Sequence, residues 1–69
     1  MVTEAVVKNI PSVEKWTEMM GTSSPEWAHE LWQLAQQCLA FTRPQDPYGW
    51  GERIGISQRI LRERGIPQV

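Results

Sequence analysis

Residues 24–40 constrain this chain more than any other segment, because their apolar side chains recur with the period of an α-helix. At about 100° per residue, Phe41, Leu34, Trp27, Cys38, Leu31, Ala35, Ala28, Leu39 and Trp32 fall within about half the circumference, and His29, Gln33, Gln36, Gln37 and Glu30 fill the remainder. Ser24-Pro25-Glu26 supplies a capping hydroxyl, a proline at the first helical position and an acid in the first turn, so a helix is expected from residue 24 onward. An apolar face this wide exceeds the stripe of about 100° that one neighbour covers. The helix is therefore expected to touch two elements, or one element and a partner. Trp27, Leu31, Leu34, Ala35 and Cys38 are expected at the centre of the core, with Trp32 and Leu39 toward one edge.

The rest of the chain reads as shorter pieces packed around this helix. Residues 12–20 carry apolar residues at three- and four-residue spacing, with Ser12 as cap and Gly21 placed to end the helix in the left-handed conformation. The short connection Gly21-Thr22-Ser23 is expected to make it an antiparallel neighbour of the central helix. Pro44 stops the central helix, since it lacks an amide and restricts Arg43 before it. Asp46-Pro47 repeats the cap-then-proline signal, and Gly65 with the apolar pair Leu61 and Ile66 closes a final helix near Arg64. Read as one helix from Pro47, this region drops Arg53 and Arg64 into its apolar face. A break at Gly55-Ile56-Ser57 separates the charges better and predicts two short helices, 47–55 and 57–64. The expected fold is all-α: three to four short helices at about 12–20, 24–40, 47–55 and 57–64, with residues 1–10 as an irregular or extended arm, in one small domain spanning 1–69.

A chain of 69 residues buries only about 60% of its unfolded surface, so its core needs reinforcement. Cys38 is the single cysteine and forms no internal disulfide, which points to a reduced, cytoplasmic setting. The four Trp residues, Trp16, Trp27, Trp32 and Trp50, are the substitute. They serve either a small core or a partner surface, where Trp is a favoured anchor. Glu4 and Lys8 interrupt the apolar residues of the first ten positions, unlike a signal peptide, and no stretch nears the roughly 20 apolar residues that span a bilayer. Membrane association is not expected.

Catalysis finds no workable group. His29 and Cys38 lie nine positions apart on one helix, hence on opposite sides and about 13 Å apart along the axis, beyond the reach of a thiolate–imidazole pair. One His with neighbouring Glu26 and Glu30 is an incomplete zinc set. The glycines 49, 51 and 55 follow no strand and lack the Lys-Ser/Thr ending of a phosphate loop. No catalytic residue, metal ligand or cofactor is assigned.

Residues 51–64 carry a resemblance: a small residue at Gly51, apolar Ile54, the turn Gly55-Ile56-Ser57, and apolar Ile60 and Leu61. This fifth of the chain resembles a bacterial helix-turn-helix of the Fis-like type. The resemblance implies a DNA-binding protein in which Gln58, Arg59 and Arg62 face the major groove. Charge is ordered in the same sense, with five Glu against two Lys up to residue 41 and five Arg against three acids beyond it, but the net charge is −1. Phosphate binding depends on accumulated positive charge. The leading expectation is therefore a non-enzymatic protein that works by protein–protein association, as an accessory or regulatory subunit or a homo-oligomer. Trp32, Leu39 and Trp50 are its expected partner-binding residues, and DNA binding is the alternative.

Overall fold

A computed structural model describes residues 2–68 and arranges them as α1 (Glu4–Lys8), α2 (Val13–Thr22), α3 (Pro25–Thr42) and α4 (Trp50–Glu63), with no strand among the described residues. The all-α expectation is met. Met1 of the expected arm and the final Val69 lie outside the described residues.

The two serine caps act as their positions dictate: the Ser12 hydroxyl accepts from the Lys15 amide at 3.1 Å and the Ser24 hydroxyl from the Trp27 amide at 3.2 Å. Two boundaries differ from expectation. Gly21 does not end α2, which runs on to Thr22, because Gly21 keeps a negative φ and the Thr22 and Ser23 hydroxyls bond back to Glu18 and Met19 carbonyls. Residues 1–10 are not simply an arm either. Thr3 caps a short α1 by accepting from Val6 at 3.4 Å, and Glu4 pairs with Lys8 at 2.9 Å one turn on.

The larger correction concerns the C-terminal third, where 47–55 and 57–64 form one continuous helix beginning at Trp50. No turn exists at Gly55-Ile56-Ser57. Ser57 is not a cap; its hydroxyl donates back to the Arg53 carbonyl at 2.7 Å inside the helix. The arginines that made a continuous helix look unfavourable are satisfied by backbone carbonyls at the two ends of α2, Pro11 just before it and Met20 and Ser23 at its close. Arg53, only 7% exposed, donates Nε and Nη2 to the Pro11 carbonyl at 3.1 and 2.8 Å. Arg64 donates to the Met20 and Ser23 carbonyls, both at 2.7 Å, and so caps the C-terminal end of α2.

These bonds define a register. Val7 pairs with Trp50, Pro11 with Arg53, Trp16 with Ser57, and Met20 with Arg64, at sequence separations of 43, 42, 41 and 44. The N-terminal third therefore runs parallel to α4, with α2 and α4 aligned end to end. The bulk of α3 packs on α4, and smaller contacts join α3 to α1 and α2. Trp16 and Trp50, each 1% exposed, meet edge to face at the centre of the core with ring centroids 5.7 Å apart.

Helix α4 starts three residues later than Pro47 suggests, because Gly49 adopts a left-handed φ of 97°. Asp46 still supplies the cap: its carboxylate accepts from the amides of Gly49 at 3.1 Å, Trp50 at 2.9 Å and Gly51 at 2.8 Å. A β-carbon on Gly51 would lie 3.2 Å from Asp46 Oδ2, so glycine is what lets the carboxylate approach. Desolvation pulls the Asp46 carboxyl upward, but the amides of Gly51, Trp50 and Gly49 and the charge of Arg53 outweigh it and hold its pKa below the ordinary value. At the other end, Gly65 is left-handed at φ 71°, Ile66 N–H reaches the Leu61 carbonyl at 2.8 Å and Gly65 N–H the Arg62 carbonyl at 3.1 Å, closing α4 as expected.

Candidate functional site: the exposed stripe of the third helix

The buried face of α3 is centred on small residues. Ala28, Ala35 and Cys38 are 0% exposed and Leu31 is 4% exposed. Alanines seven positions apart lie on one side of a helix and let a neighbouring backbone come close. That neighbour is chiefly α4, which turns α3 so that Ala28–Ala35 lead its contact face. Trp27, expected at the core centre, is displaced to the rim and is 57% exposed. Leu34 is half-buried, while Leu31, Ala35 and Cys38 stay in the core as expected.

The displacement creates a feature that the sequence reading placed elsewhere. Trp27, Leu34 and Phe41 recur at seven-residue spacing and so form one stripe about 21 Å long along the helix. Phe41 is 53% exposed, and Trp27 and Phe41 are the two most exposed large apolar side chains among the described residues. Glu30 and Gln37, both exposed, border the stripe on its wet side. The signal was present in the sequence as an i, i+7, i+14 series of large side chains beside an i, i+7 pair of alanines. Period alone places both series on one apolar face; it does not say which lies at the centre.

The expected partner-binding residues fall on other ground. Trp50 is 1% exposed, with its indole N–H donated to the Val7 carbonyl at 2.9 Å, so it belongs to the core and presents no ring to a partner. Trp32 and Leu39 are half-buried and pack against the core on the opposite edge of α3. Leu39 there borders an open groove with Gln36, Arg43, Ile54 and Gln58. Trp32 meets His29 edge to face, with centroids 5.4 Å apart, and both Trp32 Nε1 and His29 Nε2 are buried without a hydrogen-bond partner.

Of the residues assigned to the DNA-binding alternative, Arg59 and Arg62 are exposed on α4 and Gln58 is half-buried. They ride on an unbroken helix, without the turn that the helix-turn-helix resemblance requires. Cys38 is enclosed at 0% exposure, and burial pushes its thiol pKa up, away from the reactive thiolate. No three His, Cys, Asp or Glu side chains among the described residues come together as a group able to hold a metal ion. No helix among them is long and apolar enough to cross a membrane. The chain matches no protein-family model, no curated protein and no solved structure.

Proposed function

We propose that this chain is a non-enzymatic protein that works by protein–protein association, and that the stripe Trp27, Leu34 and Phe41 of α3 is its docking surface. The observation that carries this reading is the exposure of Trp27 at 57% and Phe41 at 53% on one side of one helix, in a fold that buries Trp16 and Trp50 to 1%. Large aromatics are the residues whose burial drives interface formation. Two further aromatics that keep more than half of their surface in water add much less to the stability of this fold than Trp16 and Trp50 do.

The test is site-specific. A photoreactive benzoyl-phenylalanine placed at Trp27 in the full chain, in the cells that make it, is expected to give a discrete cross-linked protein adduct. Adding Phe41→Glu should abolish that adduct, because a charge on the stripe cannot be desolvated without a counterion. If no adduct forms, or if the adduct persists with Phe41→Glu, the stripe is not a docking surface and the association reading loses its support.

A further inference from the structure

We infer that the open groove between α3 and α4 is a second docking site, and that its occupant is an acidic peptide segment carrying an apolar residue alongside its carboxylates. The inference is independent of the Trp27 stripe, which lies along the other edge of α3.

The groove is built where two helix edges meet. On α3, Gln36 and Arg43 are seven positions apart with Leu39 between them, so they share one side of the helix and its cap, and Ala40 adjoins them. On α4, Ile54 and Gln58 are one turn apart on the facing edge. The space between them is about 500 Å³, within the range of about 300 to 1,000 Å³ that holds a ligand. It is open along its side, so it admits a segment of chain lying across it and does not enclose a small molecule. Leu39, Ala40 and Ile54 offer an apolar patch for one side chain, and the amides of Gln36 and Gln58 can bond a peptide backbone.

Charge selects the occupant. No carboxylate lines the groove, and Arg43 is the one charged residue that does. Among the five arginines after residue 41, Arg53 and Arg64 are taken up by backbone carbonyls. Arg43, Arg59 and Arg62 are exposed and make no ion pair among the described residues. Arg62 follows Gln58 by one turn, which brings a second cation to the groove side of α4. It has no acid three or four positions away on either side, whereas Arg59 has Glu63 four positions on. Asp46, the acid nearest to Arg43 in sequence, accepts instead from the amides that open α4. Two free guanidinium groups beside an apolar patch are complementary to carboxylates flanking an apolar side chain, and an amphipathic helix laid in a groove supplies both. A nucleic acid would set its phosphates against Leu39, Ala40 and Ile54, on a molecule whose net charge is −1.

The test selects a displayed library of random peptides of about 16 residues, roughly 24 Å as a helix, against the full chain, and then titrates the enriched peptides in solution. Enriched sequences are expected to combine Asp or Glu with a large apolar residue, and to shift the side-chain amide resonances of Gln36 and Gln58. Arg43→Glu and, separately, Arg62→Glu should each weaken binding several-fold with an unchanged circular dichroism spectrum, because both side chains are exposed. Lysine in place of the peptide's acids should abolish binding to the wild type and restore it to the chain carrying both changes. Enrichment of no sequence, enrichment of peptides without acids, indifference to both arginine changes, or resonances that stay in place at Gln36 and Gln58 each overturns the inference. So does displacement of the peptide by a mixed-sequence single-stranded oligonucleotide at lower concentration than the peptide needs, which would assign the groove to nucleic acid.

Discussion

Trp16 and Ser57, 41 positions apart, meet at the same height of two parallel helices, with the indole Nε1–H donated to the Ser57 hydroxyl at 2.8 Å. The hydroxyl passes its own hydrogen to the Arg53 carbonyl at 2.7 Å, so donor and acceptor capacity are both used where neither residue sees more than 1% of its surface in water. Ser57→Ala strands that indole N–H in the core. The expected loss is about 1 to 3 kcal/mol of unfolding free energy, the cost of a buried donor left unpaired. In urea unfolding, Ser57→Ala in a Trp16→Phe background should cost clearly less than in the wild type, because the phenyl ring has nothing to donate. Equal costs in the two backgrounds would show the bond to be energetically idle.

Gly55 tests whether α4 is continuous. A β-carbon added there meets no atom within 4 Å, and the residue is exposed with ordinary helical backbone geometry. Gly55→Ala should therefore raise stability by about 1 kcal/mol through helix propensity. For a chain this small that corresponds to about 4 to 8 °C in Tm. A turn at this position would give the opposite sign, so destabilisation by Gly55→Ala would restore the two-helix reading.

The same region shows what the sequence does and does not make legible. Helix starts are local chemistry, and Ser12, Ser24 and Asp46 each cap the helix that follows, as their side chains and positions imply. The end of α4 at Gly65 is equally local. The continuity of α4 is not, because its apolar face contains Arg53 and Arg64, and charged residues on such a face argue for a break. Their partners are backbone carbonyls 42 and 44 positions away, and no periodicity announces a carbonyl. The candidate site was half legible for a related reason. The wide face of α3 is written in its period, but the choice between Trp27 and Ala28 as its centre is made by how closely α4 approaches.

Asp46 should make stability fall on the acid side. Its carboxyl is held below its ordinary value in the folded chain, because three amides and Arg53 together outweigh its desolvation. A depressed folded pKa contributes stability that is fully present above the unfolded value of about 3.9 and is lost as pH falls through the folded one. Asp46→Asn should cost about 1 kcal/mol near pH 7, because both carboxylate oxygens accept from backbone amides and the amide nitrogen that replaces one of them cannot. Glu4, lowered by its hydrogen bond to Lys8, titrates in the same window, so the informative quantity is the difference between wild type and Asp46→Asn at each pH. That difference should shrink steadily below about pH 4. A difference unchanged between pH 7 and pH 3 would mean that the cap does not depend on the carboxylate charge.

Fluorescence separates the four indoles by environment, and so reads the α3 stripe directly. Trp16 and Trp50 are 1% exposed and Trp32 is half-buried, whereas Trp27 is 57% exposed. Iodide is charged and does not enter an apolar core, so at low protein concentration nearly all of its quenching should fall on Trp27. Trp27→Phe should abolish most of that quenching and shift the remaining emission to the blue, while leaving the unfolding midpoint almost unchanged, because surface substitutions away from special contacts change stability by about 0.5 kcal/mol or less. Quenching that survives Trp27→Phe would place a different indole in water and shift the docking surface to the Trp32 edge of α3.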